Sequence, residues 1–252
     1  MILKDDTPEL GAYPKPYPQN PAFMNTTNTI QKGLIINFEG LDGSGKSTQS
    51  KMLCETLKSM GYKVHYVNFI HSEFIKNILL RAKWKNADPY TMALLYTMGL
   101  TFTFNTEIAP KLEAGYIVIL DRYIYSIMAR ALVKKVNIKW INTIISHFRK
   151  PDIEILVDSD VTICLNRKLS KNEILSYWEC GCDLLSADSA RYEYNVEEYK
   201  KNFLKYQLLT MNQLELSMSK NKLVFDGSKE KQIIHSQILA KVVDVINDKY
   251  DK

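Results

Sequence analysis

Residues 38–50 read FEGLDGSGKSTQS, and Gly40 to Ser47 fit the spacing G-x-x-x-x-G-K-[ST]. That spacing makes a loop closed around phosphate oxygens: glycines let the backbone turn its N–H groups inward, and the helix starting near Lys46 adds the positive end of its dipole. Lys46 can reach the outer phosphates of a nucleoside triphosphate, and the Ser47 hydroxyl suits a magnesium ion. The motif alone does not separate a kinase from a switch or a motor ATPase.

A second group, Asp121-Arg122-Tyr123, directly follows the apolar run YIVIL. Side chains at such strand ends are where α/β sheets expose their chemistry. Asp121 can hold magnesium directly or through water, and the Arg122 fork matches a phosphate. Taken alone, D-R-Y also fits an ion pair capping a strand end.

The elements that must position these residues follow from the apolar pattern. GLIINF, YKVHYVNF, YIVIL, IEILV and KLVF read as strands. Helical patterns cover 46–60, stopped by Gly61, then about 73–82, 90–113, 123–150, 161–168 and 196–217, with a final helix after KLVF. Five short apolar strands separated by helices predict an α/β fold: a five-stranded parallel sheet with helices on both faces and ligands at the carboxyl ends of the strands. Residues 1–32 contain YPKPYPQNP, whose prolines remove donors and favour extended backbone, so an extended or disordered arm is expected there.

Bulk composition narrows the function classes. A chain of 252 residues with 46% hydrophobic content can bury one sizeable core. Its formal net charge of +5 is spread without a dense basic block, which argues for small phosphorylated ligands and against nucleic acid. Four cysteines, one pair as Cys180-x-Cys182, make neither a disulfide framework nor a paired zinc pattern, and MILKDDTPEL lacks a secretory signal. No apolar run approaches the ~18 residues that span a bilayer. A cytoplasmic protein with no membrane partner is expected.

With these segments in hand, the chain resembles the thymidylate kinase family of P-loop nucleoside monophosphate kinases. FEGLDGSGKSTQ, ADPYTMALLYT, GYIVILDRYIYS, KPDIEILVD and LVFDGSKE occur in the family order. The resemblance implies a P-loop NTPase fold with one kinase domain over 33–252, a lid at about 168–188, ATP with Mg2+ as donor, a nucleoside monophosphate acceptor, most simply dTMP, and a homodimer. By the same resemblance, Gly40, Asp42, Gly43, Ser44, Gly45, Lys46, Ser47, Thr48, Asp226 and Gly227 surround the donor, and Ser47 and Asp121 serve the metal. Asp42 contacts the acceptor sugar or helps position its phosphate, Arg122 takes that phosphate, and Tyr96 faces the acceptor base. Position 43 is glycine where one branch of the family has arginine, so the chain matches the branch drawing its positive charge from the lid. Arg167 is the expected source, assisted by Lys168 and Lys171; Lys46, Asp121, Arg122 and Arg167 form the catalytic set.

The acceptor side departs from the family. Leu100 stands four residues after Tyr96 where an arginine is usual, Arg130 occurs within Ala129-Arg130-Ala131, and Asn68–Ser72 replaces a T-R-E-P type segment, with His71 as a partial substitute. The YWECGCDLL stretch of the lid is aromatic and acidic rather than arginine-rich. Two other readings stay open: a kinase of another nucleotide or a nucleoside, and a nucleotide-binding regulatory protein without transfer activity.

Overall fold

The computed structural model describes residues 33–68, 73–185 and 194–250, so the proline-rich arm 1–32 and His71 lie outside the described residues. Five parallel strands appear: β1 (Leu34–Gly40), β2 (Val64–Val67), β3 (Ile117–Asp121), β4 (Ile153–Asp158) and β5 (Leu223–Asp226), in the order β2-β3-β1-β4-β5. β1 is central and pairs with β3 on one side and β4 on the other. From β1 the chain crosses to the β2 edge, and from β3 it crosses back over β1 to β4, so the carboxyl ends of β1, β3 and β4 border the crevice where ligands of such sheets bind.

Alternation along β1 splits the core in two. Leu34, Ile36 and Phe38 face α1 (Lys46–Ser59), through Leu53 and Leu57, and α10 (Lys231–Tyr250), through Ile238 and Val242. Ile35 points the other way, into a larger cluster. That cluster joins α3 (Pro89–Thr103), α5 (Ile124–Val133), α6 (Ile138–Ile145), α7 (Val161–Ser170) and α9 (Val196–Ser217). The remaining helices are α2 (Glu73–Trp84), α4 (Ala109–Glu113) and the single turn α8 (Cys182–Leu185).

The helix expected over 90–113 is interrupted, and the helices expected across 123–150 divide at one place, each for a local reason. The run 90–113 contains Pro110, which has no N–H to give; the helix passes it through a π turn at Phe104–Ile108, where the Ala109 N–H bonds to the Phe104 carbonyl. The run 123–150 breaks at Lys134–Val136, where Lys135 adopts φ +63°, and α6 restarts with Asn137 as its cap. All four cysteines are buried and none forms a disulfide. Among the described residues no helix is long and apolar enough to cross a membrane.

Candidate active site

The loop leaving β1 has the shape its spacing implies. Gly40, Gly43 and Gly45 have φ of +150°, +94° and +98°, the last at the cap of α1. At Gly43 a Cβ would stand 2.5 Å from the Cys164 carbonyl oxygen of α7. An arginine cannot occupy position 43 without displacing α7, the helix that brings Arg167 to the loop. Asp160 caps α7 by accepting the Thr162 and Ile163 N–H groups at 2.7 and 3.3 Å, and at its other end Arg167 Nη1 donates to the Ser44 carbonyl at 3.3 Å. The two sources of charge described for the family are therefore sterically exclusive here.

A cavity of about 370 Å³ opens along this face of the loop. Its walls include Gly43 through Thr48, Gly227 and six cations, Lys46, Arg167, Lys168, Lys171, Lys229 and Lys231, against one carboxylate, Glu173. Such an excess of positive charge suits a polyphosphate. Gly227 lies against the loop, a Cβ there falling 2.1 Å from Ser159 Oγ and 2.9 Å from the Ser44 carbonyl. The Asp226 carboxylate turns away to Ser228, accepting its N–H at 2.9 Å and its hydroxyl at 2.5 Å. The structure thus brings Gly227 to the cavity, while the Asp226 side chain is occupied in its own turn.

On the other side of Asp42 lies a smaller cavity of about 180 Å³, lined by Asp42, Tyr96, Arg130, Trp178, Glu179 and Tyr206 among others. Tyr96 arrives on α3, whose start is fixed by Asp88 Oδ1 accepting the Tyr90 and Thr91 N–H groups at 2.9 and 3.1 Å. Leu100 is fully buried in the core beneath this helix and does not line the cavity. The guanidinium instead comes from α5: Arg130 Nη2 stands 3.3 Å from Asp42 Oδ2. An arginine at position 100 would enter apolar packing, whereas Arg130 stands beside a carboxylate that offsets its desolvation.

Arg122 completes the group. It has φ +74°, a strained value for a side chain with a Cβ, and is held there by its N–H on the Phe38 carbonyl at 3.0 Å. Its Nη2 reaches Asp42 Oδ1 at 2.5 Å and its Nη1 donates to Ser126 Oγ at 2.8 Å. Burial alone would raise the Asp42 carboxyl, but Arg122, Arg130, Lys46 and Lys168 together hold it far below the usual carboxylate range. Lys46, buried and also facing Arg122, is lowered to about 8 in spite of Asp42 and Asp121.

Asp121 ends β3 and is 2% exposed. Tyr66 Oη donates to its Oδ2 at 3.0 Å and Asn68 Nδ2 at 3.2 Å, so Asn68, from the unusual segment after β2, orients this carboxylate. Among the described residues no cluster of three or more His, Cys, Asp or Glu forms. One serine hydroxyl and one carboxylate fit magnesium, which keeps several waters and takes further oxygens from phosphates.

Several residues of the site escaped the sequence reading. Glu39 in β1 accepts the Tyr123 N–H at 3.0 Å and Ser126 Oγ at 2.5 Å, and stands 4.0 Å from Arg122. Burial outweighs these partners and raises its carboxyl. A carboxylate inside the buried run LIINFEG could have signalled this, because buried charges need partners. Gln207, Trp178 and Tyr206 gave no signal: on a long helix or an irregular segment, each reads as surface or core.

The family model described as thymidylate kinase matches residues 38–238. The chain belongs to the thymidylate kinase family. It is 31% identical over 219 residues, 84% of this chain and 98% of the relative, to "Probable thymidylate kinase 2" of Saccharolobus solfataricus. It is 32% identical over 170 residues to "Probable thymidylate kinase" of Sulfurisphaera tokodaii, covering 68% of this chain and 85% of that one. The family's parallel α/β architecture is the one seen here, with the motif loop on β1 and the Asp-Arg pair on β3.

Proposed function

We propose that the protein transfers the γ-phosphoryl group of ATP to dTMP, giving dTDP and ADP. The observation that carries this reading is the pair of cavities at consecutive residues of one loop, a strongly basic one lined from Gly43 onward and an aromatic one lined by Asp42 with a single guanidinium. The names of the relatives supply the acceptor base: both are described as thymidylate kinases.

In this reading Lys46 and the loop N–H groups hold the donor phosphates, while Arg167, with Lys168 and Lys171 beside it, faces the charge that spreads over the transferred group. Arg122 takes the acceptor phosphate and Arg130 supports the acceptor from the far side of Asp42. Tyr96 and Trp178 offer aromatic surface to the base. An oxygen of the acceptor phosphate forms the new bond to the γ-phosphorus as the bond to the bridging oxygen breaks toward ADP. Positioning and charge neutralisation carry the rate, so no acid–base pair is needed. Ser47 and Asp121 would hold Mg2+, which would supply positive charge to offset the charge developing on the phosphates.

We further assign residues 33–252 to one kinase domain and propose a cytoplasmic homodimer. Buried cysteines without a disulfide suit a reducing compartment. Leu80 of α2 and Leu94 and Met98 of α3 are 54%, 49% and 40% exposed, an apolar surface that a second copy would cover. Sedimentation of Leu94→Glu, expected as a monomer, tests the pairing; an unchanged dimer would remove this face from consideration.

The functional test is ADP release with ATP and magnesium against deoxy- and ribonucleoside monophosphates and free nucleosides, with Lys46→Ala as blank. Turnover highest with dTMP is expected. Highest turnover with a different acceptor would replace thymidylate in this reading, and none with any acceptor would favour a regulatory nucleotide-binding protein.

A further inference from the structure

The α9 side chain Gln207 is 2% exposed, and its carboxamide joins parts of the site that come from distant stretches of chain. Its Oε1 accepts the Asp42 N–H at 3.4 Å. Its Nε2 donates to the Glu179 carbonyl at 2.8 Å and reaches Asp42 Oδ2 at 3.5 Å. Only this orientation of the amide satisfies all three groups, since the flipped one sets NH2 against N–H and oxygen against two oxygens. A buried carboxamide stripped of its partners is costly, so the three groups are held in one arrangement.

Glu179 lies between α7 and α9, in the segment read from the sequence as the lid, and it lines the smaller cavity. Its carboxylate accepts the Ser176 N–H at 2.8 Å and stands 3.3 Å from Lys168 Nζ, and Lys168 borders the larger cavity. The lid is therefore anchored at position 179 twice, by its carboxylate to the donor side and by its carbonyl, through Gln207, to Asp42. Asp42 in turn holds Arg122 and Arg130.

We propose that Gln207 is a positioning residue for acceptor recognition: it sets the lid in register with Asp42, so that residue 179 over the cavity fixes the carboxylate that orders Arg122 and Arg130. The inference rests on the reading of this cavity as the acceptor site. It also gives the aromatic, acidic lid a function. Trp178 and Glu179 border the acceptor, while the cations that face the donor come from the loop at Lys46, from α7 and its C-terminal cap, and from the region after β5.

The test is steady-state kinetics of Gln207→Met, which keeps length and removes the hydrogen bonds, and of Gln207→Glu, which sets a carboxylate against Asp42 and the Glu179 carbonyl. The dTMP KM is expected to rise about tenfold in Gln207→Met and further in Gln207→Glu, with the ATP KM within about twofold of wild type. In an Asp42→Asn background the Gln207→Met change should add less than about twofold, because the group it positions is already altered. Equal shifts in both KM values, or full additivity with Asp42→Asn, would overturn the proposal. A purely structural glutamine would lower the melting temperature and leave the KM ratio unchanged. Should Gln207→Met fail to fold, Gln207→Asn shortens the arm by one methylene, and an unchanged KM ratio there counts equally against the idea. Wild-type enzyme preferring another monophosphate would replace thymidylate as the acceptor, and the same KM split is then read with that monophosphate. No transfer to any acceptor would remove both readings together.

Discussion

The two cavities beside Asp42 are built on different principles. The cavity proposed for the donor is lined mainly by one continuous loop, Gly43 to Thr48, whose backbone N–H groups and helix terminus would bind phosphate, with cations added from α7 and from the region after β5. The acceptor side has no such loop: Asp42, Tyr96, Arg130, Glu179 and Tyr206 come from five separate stretches of chain. A site made of one contiguous backbone segment tolerates little change in sequence, whereas one made of converging side chains can exchange an arginine on α3 for one on α5. That difference fits a chain that keeps the G-x-x-x-x-G-K-S spacing intact and, by its resemblance to the family, carries Leu100 and Arg130 on the side of the converging side chains.

The largest expected effect breaks the donor side. Lys46→Ala should lower kcat/KM by on the order of 10²–10³-fold while circular dichroism stays native, because a phosphate contact is lost and the fold is kept. A fall of less than about tenfold in a coupled ADP assay would mean that the loop does not hold the transferred phosphate. Arg130→Ala breaks the acceptor side: a charge-assisted contact of about 1.5–3 kcal/mol predicts a dTMP KM raised about 10- to 100-fold with the ATP KM nearly unchanged. If both KM values moved together, Arg130 would be supporting the fold rather than the acceptor.

Smaller effects sharpen the contrast. Gly43→Ala forces a side chain onto a positive φ and against the Cys164 carbonyl, and should cost about 1–3 kcal/mol in urea unfolding. A neutral result would remove the steric reason for the glycine. For pH, Lys46 is lowered to about 8, so the free enzyme loses this cation as pH rises past that value. kcat/KM for ATP should fall about tenfold per pH unit above 8, whereas kcat stays flat further up because bound phosphates favour the charged amine. A flat kcat/KM to pH 10 would contradict that assignment.

How much of this was legible in the sequence follows the same division. The strands were readable because buried parallel strands are continuous apolar runs, and the places of Lys46, Ser47, Asp121 and Arg122 at or after strand ends because they depend on neighbours in sequence. Arg130 was suspected from a missing arginine at Leu100, but only packing shows why: position 100 lies in the core. Gln207 and Trp178 could not be found, since their meaning lies in what they meet across the fold. Glu39 was within reach, as a charge in a strand that must be buried. The interruption at Phe104–Ile108 was missed because Pro110 in a helical run can be met by a kink, a break or a π turn, and local pattern does not choose among them.

The most direct measurement of the central claim is a crystal structure with adenosine and thymidine joined through their 5′ oxygens by a chain of five phosphates. The account predicts the adenosine half beside Arg167 and Gly227, the phosphates along the loop from Gly43 to Ser47, and the thymidine half between Tyr96, Arg130 and Trp178. A thymidine half anywhere outside the Tyr96–Arg130 cavity, or the two halves exchanged, would contradict it.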